Sequence, residues 1–121
     1  MPPIRIVFFV DEKGCPVLKW LDSLPKRIQA KAHVRIERLA EMGHELRRPE
    51  TDYLRDGIYE LRWRFQSVNY RILYFFQGRD AVVLSNGLTK EDRVPSREID
   101  LTIQRKRMFE SDPKRYTYIE E

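Results

Sequence analysis

The chain has 121 residues, 41% of them hydrophobic and 35% charged, and its 23 lysines and arginines outnumber 19 aspartates and glutamates for a net charge of +4. That length is one domain's worth, enough to bury a core without help from disulfides or metal. The composition is too apolar for a disordered tail, too interrupted for a membrane span of roughly 18 apolar residues, and too poor in cysteine, with Cys15 alone, for a disulfide framework.

In chain order, Ile4 to Val10 is β-branched or aromatic apart from Arg5 and predicts a strand, ended by Asp11 to Gly14. Its apolar run is short and has no basic leader, so it does not read as a signal peptide; the expected setting is cytoplasmic, with no membrane association. From Pro16, the apolar residues Val17, Trp20, Leu21 and Leu24 fall at helical spacing, and Pro25 closes that helix. Ile28, Ala32, Ile36, Leu39 and Ala40 form the stripe of a second, amphipathic helix ending at Gly43, with Lys26, Arg27, Lys31, Arg35 and Arg38 off the stripe. The polar stretch from His44 to Tyr53, with Pro49 inside it, reads as a loop.

Three strands follow. In Ile58 to Phe65, Tyr59, Leu61, Trp63 and Phe65 share one face, while Glu60, Arg62 and Arg64 share the other. Tyr70 to Phe76 is apolar except for Arg71, and Ala81 to Ser85 follows a turn at Gly78. Their short links favour an antiparallel meander. Pro95 then opens a helix running to about Phe109. Residues 1–111 are expected to form a single domain and 112–121 a tail, in an α+β fold with helices packed on a small sheet.

The chemistry is narrowed first by what the sequence omits. His33 and His44 have no Cys or His at metal-ligand spacing, so no metal or cofactor is implied. No Gly-rich phosphate loop or serine nucleophile elbow occurs. What remains is a set of cations. Arg62 and Arg64 project from one strand face roughly 7 Å apart. Arg71 interrupts an apolar strand and is costly to bury unless paired. Lys90 and Arg93 follow the last strand. Trp63, Tyr70 and Tyr74 are interleaved with them, and cations for phosphate with rings for bases suit single-stranded RNA. The structural alternatives are a solvated strand face for Arg62 and Arg64, an ion pair for Arg71, a wet face for the basic helix, and core positions for Trp63 and Phe65.

The segments PVLKWLDSLPKRIQAKAHVRIERLAEMG, LRDGIYELRWRF, NYRILYFF and VVLSNGLTKEDRVPSREIDLTIQRKRMF, in this order, resemble the RelE/HigB superfamily of type II toxins, nearest its phage-derived, HigB-like branch. The resemblance implies a RelE-like fold: a small antiparallel sheet with an N-terminal helical hairpin and a C-terminal helix. It implies the toxin of a toxin–antitoxin system, a ribosome-dependent endoribonuclease that cuts messenger RNA. The implied partners are the ribosome and a cognate antitoxin, a HigA-like helix-turn-helix protein.

By the same resemblance the catalytic set is Arg62, Arg64, Arg71 and Lys90; the interleaving of rings and cations adds Tyr70 and Arg93 as expected RNA contacts. Lys31, Arg35 and Arg38 on the basic helix are the expected antitoxin contacts. Such a set supports a metal-independent reaction in which the 2′-hydroxyl attacks the adjacent phosphorus and leaves a 2′,3′-cyclic phosphate. The arginines would clamp the phosphorane, and Lys90 would move a proton. Asn86 stands where that branch often carries histidine, and Lys90 is followed by Glu91 and Asp92. These departures keep open an alternative, a non-catalytic or degenerate module that binds nucleic acid or an antitoxin.

Overall fold

The computed structural model describes residues 3–89 and 92–120. Among them the elements run β1 (Arg5–Phe8), α1 (Pro16–Asp22), α2 (Lys26–Met42), β2 (Thr51–Arg55), β3 (Ile58–Phe65), β4 (Val68–Gln77), β5 (Ala81–Thr89) and α3 (Ser96–Ser111). The strands form one sheet in the order β1-β5-β4-β3-β2. From β2 to β5 it is an antiparallel meander. β1 joins its far side parallel to β5, with Arg5 opposite Ala81 and Phe8 opposite Leu84.

This architecture is α+β, but it corrects the expected RelE-like arrangement. The sheet is mixed rather than wholly antiparallel. Nor do α1 and α2 form an N-terminal hairpin packed on itself, because α1 lies chiefly against β5 and α2 reaches β1 and β3. The reason is area. The apolar stripes Val17 and Leu21 of α1 and Ile28, Ala32, Ile36 and Leu39 of α2 exceed what a seven-residue helix can cover. Both are buried instead on one sheet face with Leu61, Trp63, Tyr70, Ile72 and Leu84. The other face carries Val7, Ile58, Leu73, Phe75 and Val83 under Ile99 and Phe109 of α3. Among the described residues no helix is long and apolar enough to cross a membrane.

β2 also departs from expectation, since it begins inside the stretch read as a loop. Its signal is the Asp56-Gly57 pair, where both residues take the positive φ (51° and 81°) of a tight primed hairpin turn. Gln66 and Ser67 (48° and 67°) make the same kind of turn between β3 and β4 without a glycine. β5 runs on through Asn86 and Gly87 to Thr89, past a register shift opposite Leu73 and Tyr74. At Gly87 the need for glycine is one of space: a Cβ there would lie 2.0 Å from the Trp20 ring. That close approach lets the Trp20 indole N–H reach Thr89 Oγ1 at 2.9 Å.

The C-terminal segment adds a short antiparallel bridge to the outer edge of the sheet. Val10 N–H donates to Tyr116 O at 3.0 Å, and Tyr118 N–H to Phe8 O at 2.9 Å. Tyr116 stacks on Phe9 at 5.6 Å.

Tyr74 carries a stability prediction. Its ring is 1% exposed, and its hydroxyl meets Thr51 Oγ1, which donates to Glu60 O at 2.7 Å. Burial pushes the phenol up to about 12, against the opposing effect of the Thr51 contact. Because the folded-state pKa is raised, the stabilisation is complete below the unfolded value and disappears as pH climbs to the folded one. Denaturant unfolding should therefore show a loss of about 2 to 3 kcal/mol between roughly pH 10 and pH 12. Tyr74→Phe should remove this component of the alkaline loss, and an unchanged alkaline profile in that variant would contradict the assignment.

Candidate functional site

The site grows from the way β2 stops short. Its pairing covers β3 only as far as Leu61 opposite Thr51, and Arg62 N–H then donates to Glu50 O at 2.9 Å. Beyond that point β3 has an open edge. A cleft of about 490 Å³ lies there, between the segment before β2, the β3–β4 hairpin and α2. Among the described residues four arginines line it, Arg35, Arg62, Arg64 and Arg71, with two carboxylates, Glu50 and Asp92. Trp63 and Tyr70 also line it, paired across the two strands and stacked at 5.7 Å.

Arg62 and Arg71 are direct cross-strand neighbours. Two like charges at such a position repel unless something lies between them. Glu60 provides it. This carboxylate shares the sheet face with both and is only 5% exposed at its side chain. Its Oε1 lies 3.1 Å from Arg62 Nη1, and its Oε2 lies 3.1 Å from Arg71 Nε. Arg62 also donates to Pro49 O at 3.0 Å, and Arg71 donates to Asp92 O at 2.8 Å. Arg71 is thus the ion-paired cation that its place in an apolar strand requires. Glu60 is the site residue that sequence reasoning left out of the set. Its signal is the i, i+2 spacing from Arg62, which puts a carboxylate beside the very pair that needs one.

Arg64 differs from its neighbours. It is exposed, and among the described residues no carboxylate pairs with it. Its five donors are therefore available to a ligand in the cleft. Tyr70 lines the cleft but is 7% exposed, with one ring face taken by Trp63. Arg93 is exposed and does not border the cleft. Lys90 lies outside the described residues.

On α2, Arg38 Nε sits 3.1 Å from Glu50 Oε2, and Arg35 sits 3.9 Å from the same oxygen. Lys31 Nζ lies 4.5 Å above the Phe65 ring. Lys31, Arg35 and Arg38 therefore form a basic face that turns the corner into the cleft, with Arg35 at the junction. Asn86 does not face the cleft. Its amide donates to Glu98 Oε1 at 3.0 Å, and its carbonyl accepts from Thr102 at 2.8 Å, which fastens α3 to β5. Cys15 is buried, and desolvation raises its thiol pKa, which makes it a poor nucleophile. His33 is exposed on α2.

Chemically, the described residues of the cleft present four guanidinium groups and two carboxylates to a ligand, a balance that favours an anion. A phosphodiester in an extended strand fits that description, because arginine stays charged and offers a planar fork to phosphate oxygens. A family model described as "Phage derived protein Gp49-like (DUF891)" matches residues 19–107. That span takes in every described residue of the cleft. No curated protein matches the sequence.

Proposed function

The chain belongs to the family of phage-derived Gp49-like proteins, and from that membership we propose that it is the toxin of a toxin–antitoxin pair, an endoribonuclease that cuts messenger RNA on the ribosome. The family is associated with toxins of such systems. The observation that carries the reading is the open cleft holding Arg62, Arg64 and Arg71 together at the uncovered edge of β3.

In the proposed reaction the 2′-hydroxyl of one nucleotide attacks the next phosphorus. The 2′-hydroxyl gives up its proton as it attacks, the 5′-oxygen takes one up as it leaves, with Lys90 assigned to proton transfer, and a 2′,3′-cyclic phosphate and a 5′-hydroxyl remain. Negative charge grows on the phosphoryl oxygens as the phosphorane forms. Arg64 meets that charge directly, since it reaches the cleft with no carboxylate partner among the described residues. Arg62 and Arg71 act from positions set beforehand by Glu60, so they need little reorganisation during the reaction. The cleft is too open to hold a flexible RNA in line by itself. A ribosome that presents the message as a constrained strand supplies that alignment.

The family also implies an antitoxin as partner. The basic face of α2 suits an acidic antitoxin segment, whose carboxylates would compete with Glu50 for Arg35 and Arg38. We assign this partner to the HigA-like helix-turn-helix class. The alternative reading, a non-catalytic binding module, draws on Asn86, whose side chain is committed to α3 and carries no acid–base group.

Induction of the chain alone is expected to arrest growth and to produce transcripts ending in 2′,3′-cyclic phosphate. Coexpression of the antitoxin is expected to restore growth. Normal growth with intact transcripts would remove the toxin reading, and arrest without cyclic-phosphate ends would favour the non-catalytic module.

A further inference from the structure

The segment 48–52 has a concavity on each side. Pro49 and Glu50 border the arginine cleft, while Arg48, Thr51 and Asp52 border a second groove of about 560 Å³. Aromatic rings wall this groove. The inner ones pack as an ordinary extension of the core, with Tyr59 stacked on Tyr74 at 5.5 Å and edge-on to Phe76 at 5.2 Å.

The outer rings differ. Tyr53 is 54% exposed, yet it is held at both ends. Its hydroxyl accepts Gly57 N–H at 3.0 Å, and its ring meets Tyr59 edge-on at 5.0 Å. His44 is exposed and stacks on Phe76 at 3.8 Å. Solvent-facing rings that are already fixed offer stacking surfaces at little entropic cost on binding.

Charge selects the occupant. Arg47 and Arg48 border the groove against a single carboxylate, Asp52. Arg48 lies 3.0 Å from Asp52 but keeps its side chain 75% exposed, so donors remain for a second partner. Flat rings with guanidinium groups beside them match the bases and phosphates of a single strand. The groove and the cleft lie on either side of one short segment, so a single extended strand that crosses it meets both.

We propose that this groove is a second subsite for single-stranded RNA, stacking bases on Tyr53 and His44 and holding phosphates with Arg47 and Arg48, so that it takes nucleotides flanking those in the arginine cleft. The subsite rests on the RNA reading of the cleft. It predicts that affinity grows with strand length and depends on the bases as well as on charge.

The test titrates the full chain with a labelled 2′-O-methyl oligoribonucleotide of about twelve residues, and with an abasic oligomer of equal length and charge. The first lacks the hydroxyl needed for cleavage, so only binding is read. Wild type should prefer the base-bearing strand. Tyr53→Ala should weaken that strand about tenfold and leave the abasic one unchanged. Tyr53→Phe, which keeps the ring, should stay within about twofold. His44→Ala repeats the test on the other wall, and thermal melts confirm folding of each variant.

If Tyr53→Ala and His44→Ala bind as wild type while Arg64→Ala binds weakly, the subsite is overturned and the cleft reading stands. Wild type that binds neither oligomer overturns the subsite, and cleavage on programmed ribosomes then decides the cleft reading separately. Loss of antitoxin capture in Tyr53→Ala with RNA affinity intact also overturns the subsite, in favour of a protein contact.

Discussion

Arg64→Ala is expected to lower messenger RNA cleavage about a hundred- to a thousandfold with no measurable change in melting temperature. The first half follows from position. Arg64 lines the cleft without a carboxylate partner among the described residues, so its guanidinium is free to meet phosphoryl charge. Removing one preorganised donor to a developing oxyanion costs about 3 to 4 kcal/mol of transition-state stabilisation. The second half follows from exposure, because substitutions on a solvated strand face usually stay within about 0.5 kcal/mol. Arg64→Lys should fall between the two, keeping the charge but losing the planar fork. The measurement is single-turnover cleavage on programmed ribosomes beside a thermal melt. Cleavage by Arg64→Ala within a few-fold of wild type would take Arg64 out of the reacting centre.

Arg71→Ala should behave in the opposite way, losing fold and activity together. Its side chain is 9% exposed, and Glu60, its partner, is 5% exposed. Breaking a buried ion pair costs about 3 to 5 kcal/mol, because one charge is left without compensation. Glu60 keeps Arg62 at 3.1 Å, which places the expected loss near the lower figure. For a domain of this size that is a fall in melting temperature of about 10 °C.

The double variant Glu60→Leu with Arg71→Met separates structure from chemistry. Two apolar residues should recover much of the stability, since neither buried charge remains and the half-exposed Arg62 can turn to solvent. Cleavage should stay lost, because the cation and the carboxylate that set Arg62 are both gone. A double variant that regains stability and also cuts RNA would make Arg71 purely structural.

These two expectations describe a division of labour within one cleft. Glu60 commits Arg71 and Arg62 to fixed places, which makes them effective only for a phosphate that arrives in the right position. Arg64 is exposed and has no carboxylate partner among the described residues, which makes it the first contact. The aromatic groove beyond segment 48–52 adds a way to grip flanking bases, and the basic face of α2 meets the same cleft through Arg35. An antitoxin bound along α2 therefore has a direct route to occupy or cover Arg35 and the rim of the site.

Much of this was legible in the chain alone, and the reason is locality. The 3.6-residue stripe of α2, the alternation of β3 and the apolar run of β4 are written within each segment, so their burial followed from their spacing. The need of Arg71 for a partner was also local, because a cation within YRILYFF has no other way to be buried. β2 is not legible in the same way although Asp56-Gly57 marks its turn, because its own residues are half polar and Pro49 precedes them.

What only the tertiary structure decided are the relations between distant segments. β1 and β5 lie far apart in sequence, and nothing in either states that they pair in parallel, because backbone hydrogen bonding carries no address. The same holds for the sheet face that draws α1 away from α2, and for the Asn86–Glu98–Thr102 contacts that turn Asn86 from the cleft. The sequence by itself determined which residues carry charge and which must be buried. Packing decided that Arg62 and Arg71 share one carboxylate while Arg64 has none among the described residues, since a pair's strength depends on burial and separation, and both are properties of the folded chain.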